Sequence, residues 1–234
     1  MKKSNKILTG VFLTTFLIFL GIHLALYANI KSGNVTAYKD DKEKNTITHE
    51  LPAVRYVLLR QVREAIIYAS DTGRIAFANK DDEKAFRFSL QHDTLVVMRS
   101  DTSSKEIDWI GSVSVGVADG AVVQSDDAYI VLRGNANNAQ KTSFSINANE
   151  GSVQVDTDNT APFETLSITA ATNAQINLKK ARIGKLNITL NDAYLEEEGA
   201  QIDTINVAAD ASSKILFTGP NFSKVQTNTA AAHE

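Results

Sequence analysis

The sequence predicts an all-β protein, a parallel β-helix (β-solenoid) placed behind a single N-terminal transmembrane helix. Three observations predict it. A short strand-like pattern recurs through the C-terminal half at a near-constant period. An uncharged apolar run opens the chain behind a cluster of lysines. Between the two there is no long helical pattern, and only three prolines interrupt the whole chain.

The first element is the anchor. Ile7–Ala28 is free of charge over 22 residues, and as a helix it would reach roughly 33 Å, enough to cross a hydrocarbon core of about 30 Å. Lys2, Lys3 and Lys6 precede it, and the positive-inside bias holds that tip, residues 1–6, in the cytoplasm. Everything after Ala28 is then exported to the bacterial cell envelope. The alternative is a cleaved signal peptide, whose apolar region is shorter and is followed by small residues at −3 and −1. Cleavage after Ala28 would put Leu26 at −3. Both topologies export the remainder.

Residues 29–50 are polar and carry the cluster Lys39-Asp40-Asp41-Lys42-Glu43-Lys44, a composition that reads as a solvated tether. Residues 51–228 are expected to form the solenoid, and 229–234 a tail. Within it, Leu51–Tyr68 fits either an amphipathic helix or two strands around Val57–Leu59 and Ala65–Tyr68. Short apolar runs do not distinguish these by period. The next stretches, 74–77, 85–90 and 94–98, are strand-like. Phe86, Phe88 and Leu90 alternate with Arg87 and Ser89, and Gln91-His92-Asp93 reads as a hairpin connection.

The repeat is the most informative feature. Phe163-Glu-Thr-Leu166-Ser-Ile168, Ile183-Gly-Lys-Leu186-Asn-Ile188, Ile202-Asp-Thr-Ile205-Asn-Val207 and Phe222-Ser-Lys-Val225-Gln-Thr227 share one pattern. Leu166, Leu186, Ile205 and Val225 follow one another at 20, 19 and 20 residues. A second short strand runs between them, at Ala174–Leu178, Ala193–Leu195 and Ser213–Phe217, with weaker copies upstream around Phe144 and Val123. A period near 20 with two strands per unit indicates stacked coils, because one unit alone cannot bury its apolar face. Leu166, Leu186 and Ile205 then form an inward column, and Ser167, Asn187 and Asn206 an outward one. Asn173, Asn191-Asp192, Gly199 and Gly219 supply corners. An antiparallel sandwich is the competing fold.

The early strands, the segment Asp93-Thr94-Leu95-Val96-Val97 and the Leu-x-Ile or Val-x-Val strand in each coil together resemble the head GIN domain family of exported bacterial proteins, head domains of autotransporter-adhesin type. The resemblance spans about residues 52–228. It lacks that family's Gly-Ser-Gly turns, the nearest equivalent being Arg133-Gly134-Asn135-Ala136. It implies a right-handed β-helix at the cell envelope, and it carries over no catalytic residue.

Composition narrows the chemistry. Beyond residue 28 the chain holds 21 Lys+Arg against 27 Asp+Glu, which argues against nucleic acid as a partner. The absence of cysteine removes disulfides and thiolate chemistry. His23, His49, His92 and His233 are too scattered for a metal site, and no cofactor motif is present. Asp126, Asp127, Asp156 and Asp158 are the carboxylates to weigh. Asp156 and Asp158, two apart on an extended segment, point the same way and form an expected ligand or cation surface, against a plain solvated corner. Trp109 is either a core residue or a sugar-stacking platform. Asp93-Thr94-Leu95 and Asp203-Thr204-Ile205 resemble an acceptor pattern for O-glycosylation at Thr94 and Thr204. Glu196-Glu197-Glu198 reads as a solvated loop.

Three functions are compatible with this. The first is a non-enzymatic envelope protein that is held in the membrane through Ile7–Ala28 and presents a β-helix surface. Its partner is an envelope protein, a glycan or a second copy of the chain. The second is a carbohydrate-active β-helix enzyme, favoured by paired acids beside an aromatic residue on one sheet face. The third is a sensor that signals through a partner's helices.

Overall fold

The computed structural model describes residues 12–21, 23–24, 46–100, 111–135, 140–156 and 161–227. The chain divides into two units, Met1–Lys44 and Asn45–Glu234. In the first, residues 12–21 and 23–24 are helical, with Phe12, Phe16, Ile18 and Phe19 among the exposed side chains. The rest of the run Ile7–Ala28 lies outside the described residues, as does the charged stretch 39–44. Among the described residues, no helix is long and apolar enough to cross a membrane.

The second unit is almost entirely β. The strands β1 (Ile47–Leu51), β2 (Tyr56–Arg60), β3 (Ala65–Ala69) and β4 (Gly73–Phe77) lead into a short helix, α1 (Lys80–Ala85). The segment Leu51–Tyr68 is thus strand, not helix. Val57 and Leu59 point inward while Tyr56 and Arg60 point out, the period of two that a helix cannot satisfy. Ile47–Leu51 pairs antiparallel with β4, so the folded body begins inside the stretch whose composition reads as tether. α1 starts at Asn79, whose side-chain oxygen accepts from the backbone N–H groups of Asp81 and Asp82. Asp81, Asp82 and Glu83 fill its first turn, where acids favour the dipole. The strands β5 (Phe86–Gln91) and β6 (Thr94–Arg99) form the expected hairpin, with His92 left-handed at φ 59°.

The solenoid proper contains β7 (Val113–Val117), β8 (Val122–Arg133), β9 (Thr142–Asp156), β10 (Phe163–Ala171), β11 (Gln175–Lys179), β12 (Arg182–Asn191), β13 (Tyr194–Glu198), β14 (Gln201–Ala209) and β15 (Lys214–Leu216). A short helix α2 (Gly219–Phe222) and β16 (Val225–Thr227) close it. Two sheets enclose one core. The first runs β5, β6, β2, the front half of β8, the front half of β9, then β10, β12, β14 and β16. The second runs β1, β4, β7, β3, the rear half of β8, the rear half of β9, then β11, β13 and β15. The strands from β6 and β7 onward pair in parallel, and among the described residues antiparallel strands occur only at the β1, β4 and β5 end. The layer made of β2 and β3 lies between the β6–β7 layer and β8, out of chain order.

The predicted register is the observed one: Leu166 pairs with Leu186, Leu186 with Ile205 and Ile205 with Val225. The column extends upstream to Phe144. A second inward column runs Leu95, Val57, Val123, Ile146, Ile168, Ile188 and Val207. Leu166, Leu186 and Ile205 are fully buried, and each side chain of that size taken from water contributes about 1.5–3 kcal/mol. The first-sheet to second-sheet corner is left-handed in successive coils at Gln61, Asp127, Asn173 and Asp192. In β9 it is made by Glu150 and Gly151 at φ 61° and 74°, and a Cβ at Gly151 would stand 2.2 Å from the Ala128 carbonyl oxygen in the coil above. The expected corners at Asn173, Asp192 and Gly199 are thus found, whereas Gly219 begins α2 instead.

Candidate functional site

The polar side chains fall into three groups: an outward ladder on the first sheet, a buried carboxylate at the last coil, and a groove along one corner. The ladder is the outward column Ser145, Ser167, Asn187, Asn206 and Gln226. The Asn206 amide donates to Asn187 Oδ1 at 2.8 Å, and the Asn187 amide donates to Ser167 Oγ at 3.1 Å. Stacking at the strand spacing of about 4.8 Å brings identical groups within bonding reach. Beside it, Asn147, Thr169 and Thr189 form an exposed column. The result is a column of uncharged polar side chains, with Glu164, Lys185 and Asp203 exposed on the same strands.

The second group corrects the sequence reading. Glu196-Glu197-Glu198 is part of β13, not a loop, and Glu197 is buried. It occupies an inward position directly below Leu178, in the column Val115, Ile67, Leu132, Val155 and Leu178. Its carboxylate accepts from the Ala200 N–H at 2.6 Å, from the Thr218 N–H at 2.9 Å and from the Thr218 hydroxyl. Burial pushes its pKa up, but the hydrogen bonds from Asn221, Thr218 and Ala200 outweigh that and hold it below the ordinary value. Asn221, also buried, donates to the Ala200 carbonyl at 2.8 Å. Glu197 therefore ties α2 and the Gly199 corner onto the last coil. The alternation with Leu195 was the available signal, since it places Glu197 on the inward face.

The third group lies where β10 turns into β11, β12 into β13 and β14 into β15. Asn173, Gln175, Asp192, Tyr194, Ser212 and Lys214 line an open groove of about 390 Å³ there. Gln175, Tyr194 and Lys214 are in register on adjacent strands. Asn173 N–H donates to the Asp192 carbonyl at 2.6 Å, and Asp192 N–H to the Asp210 carboxylate at 3.1 Å. The Ser213 and Ser212 hydroxyls bind Asp210 at 2.6 and 2.8 Å, and these bonds hold its pKa down at about 2.

Those residues singled out from sequence that the structure describes are not gathered into one site. Asp156 is outward and half-buried on β9, in register between Arg133 and Lys179, and the next residue of that column is Glu198, 3.9 Å from Lys179. Its neighbours along the column are thus cationic. Asp158 and Trp109 lie outside the described residues. Asp126 accepts from the Asn149 amide at 3.1 Å, and Asp127 is an exposed corner. Thr94 and Thr204 are both half-buried in strands, on β6 and β14. His49 lies on β1, 2.7 Å from Glu83 and against Phe88. Among the described residues no group of three metal-ligating side chains converges. Glu196 and Glu198 share the outer face of β13 with Tyr194, and Glu198 faces Lys179 at 3.9 Å.

No family model matches the chain, and no curated protein matches it. Its likeness to the head GIN domain family therefore remains one of pattern. Several solved structures are similar to it at low superposition. One is from Parabacteroides distasonis, provisionally described as a lipid binding protein (TM-score 0.43, 9% identity, covering 73% of this chain and 81% of that one). Another is from Clostridium sporogenes, provisionally described as a cell adhesion protein (TM-score 0.34, 9% identity, 71% and 99%). A third, from Bacteroides fragilis, is provisionally described as an adhesin (TM-score 0.29, 8% identity, 75% and 99%). Likeness at this level says nothing about function.

Proposed function

We propose that this chain is a cell-envelope protein that is anchored through Ile7–Ala28 and presents a β-solenoid as a rigid surface for binding or adhesion, without catalysis. The partner is an envelope protein or glycan. The observation that carries the reading is the polar ladder on the outward face of the first sheet. There the Ser167, Asn187 and Asn206 side chains satisfy one another, and the neighbouring Asn147, Thr169 and Thr189 stay exposed. Such a face offers preorganised hydrogen-bonding groups at low ordering cost. It has no clustered charge to draw nucleic acid and no poised nucleophile. The coils are taken as right-handed, the sense of about 98% of parallel crossover connections.

The test has two arms. A cysteine at the exposed Thr169 of the full-length chain is labelled by a membrane-impermeant thiol reagent from outside the cytoplasmic membrane, and a cysteine at Ser4 is not. The chain in lipid nanodiscs is then passed over immobilised envelope protein and envelope polysaccharide. Retention on one of them, lost in Thr169→Arg/Asn147→Arg, supports the reading. Absence of retention on both, or labelling only from the cytoplasmic side, overturns it.

The carbohydrate-active alternative rests on Tyr194, Glu196 and Glu198 sharing one face. Glu198 is 3.9 Å from Lys179, and neither carboxylate lines the groove. Glycan turnover lost in Glu196→Gln or Glu198→Gln with folding intact would favour it.

A further inference from the structure

We propose that the corner groove around Tyr194 is a binding site for a short neutral oligosaccharide. This deepens the binding reading above and rests on it. The groove, about 390 Å³ in volume, has the size of a sugar unit or two.

Three features point to this ligand. First, the side chains of Asn173, Gln175, Asp192 and Lys214 take no hydrogen bond or ion pair from the rest of the described chain, in contrast to the Ser167–Asn187–Asn206 ladder, which is internally satisfied. Two planar amides and a carboxylate left open around one hollow match vicinal hydroxyl pairs, which offer donor and acceptor side by side. Second, an aromatic ring stands among them. Tyr194 is half-buried, with Gln175 on one side and Lys214 on the other, on the outer face of β13. Its ring gives a sugar's C–H face an apolar platform beside polar groups. Third, the charges lining the groove, Asp192 and Lys214, balance. The nearby Asp210 is already held by the Ser212 and Ser213 hydroxyls, and Glu196 lies on the same outer face of β13 as Tyr194. An anionic sugar would gain one cation and meet three carboxylates, so the neutral class fits better.

The floor is rigid before any ligand arrives. Asn173 and Asp192 are both left-handed, at φ 63° and 54°. Backbone bonds from Asn173 to Asp192, and from Asp192 to the Asp210 carboxylate, lock the three successive corners. The groove thus spans adjacent coils about 4.8 Å apart, so its polar groups repeat along the solenoid axis, the direction a linear glycan would follow.

The experiment uses the full chain in lipid nanodiscs, free of glycosidic detergent. It is applied to an immobilised panel of neutral di- to tetrasaccharides with and without N-acetyl groups, together with uronate-bearing counterparts. The expected result is retention on a subset of the neutral sugars. Tyr194→Ala and Gln175→Ala each weaken it by about tenfold or more, Tyr194→Phe keeps most of it, and Arg87→Ala, at an exposed position of β5 outside both the groove and the first-sheet ladder, leaves it unchanged. Gln175 is exposed, so its variant reports on the groove even if Tyr194→Ala fails to fold. Retention of no sugar on the panel, retention on uronate-bearing sugars alone, or sugar binding untouched by Gln175→Ala and Tyr194→Phe/Gln175→Ala overturns the groove. If the panel is silent while envelope protein is still bound through the first sheet, the groove falls and the general reading stands. If neither is bound, both fall.

Discussion

Replacing Glu197 by Gln tests whether one buried charge holds the end of the solenoid. The side chain keeps its size, but one of two acceptor oxygens becomes an NH₂ group. It must then face either the Ala200 N–H or the Thr218 N–H and hydroxyl, which now point donor at donor. A hydrogen bond to a charged group is worth about 1.5–3 kcal/mol, and a buried donor left without a partner costs about 1–3 kcal/mol, so the substitution should cost about 2–4 kcal/mol. The effect is also pH-dependent. The folded-state pKa of Glu197 is lowered from 4.5, so its stabilisation is complete above the unfolded value and is lost as pH falls through the folded one. Urea unfolding of residues 45–234 should therefore show a gap between wild type and Glu197→Gln that is full near neutral pH and closes in strong acid. Thr218→Val should be coupled to it, the double variant costing less than the two singles together. A gap under about 1 kcal/mol at neutral pH, or one that stays constant into strong acid, would refute the reasoning.

Other expected outcomes follow from the core and the corners. Leu166→Ala and Leu186→Ala should each cost about 2–5 kcal/mol in the same urea assay, and the pair should not add cleanly, because the two residues are register partners. Asn187→Ser, which breaks bonds to both Ser167 and Asn206, should cost about 0.5–1.5 kcal/mol. Additive leucine effects would argue against the stacked register. Gly151→Ala should destabilise far more than Gly199→Ala in thermal unfolding. Both positions have positive φ, but a Cβ at Gly151 meets the Ala128 backbone and one at Gly199 meets nothing within 4 Å. Equal shifts in Tm would show that strain alone, not the close approach of coils, sets the cost.

The coil register was legible because its cause is local and repeated. The same apolar spacing recurs every turn from Phe163 to Val207, and one-dimensional stacking converts that period directly into contacts. Glu197 was missed for the complementary reason. Three successive glutamates read as solvated, and only superposing Leu195-x-Glu197 on Ile176-x-Leu178 shows that the middle one replaces a core leucine. Its acceptors are matched by Thr218 and Asn221, some twenty residues on, a distance over which no local pattern signals pairing. β1 escaped because Ile47, His49 and Leu51 are only half-buried against β4, giving an alternation too weak to stand out. α1 was not read from the sequence, although Asn79 followed by Asp81, Asp82 and Glu83 is the ordinary signal of a helix start. The corner residues Asn173 and Asp192 were read as turn formers, which they are. That they also leave unpaired polar groups around Tyr194 follows from the stacking of separate turns, which no single segment displays.

The layer made of β2 and β3, lodged between strands that are synthesised later, has a consequence for assembly. A solenoid whose coils follow chain order can lengthen by adding one turn to a finished stack. Here the earliest turn must wait for β6 and β7 on one side and β8 on the other before its backbone is paired. The first half of the domain therefore closes as one cooperative knot of non-local contacts, slow to nucleate, and the later turns add onto it singly. Shortening the chain from its C-terminal end removes whole turns and leaves a paired remainder. Removing residues up to Ala69 takes out an interior layer and strands both of its neighbours.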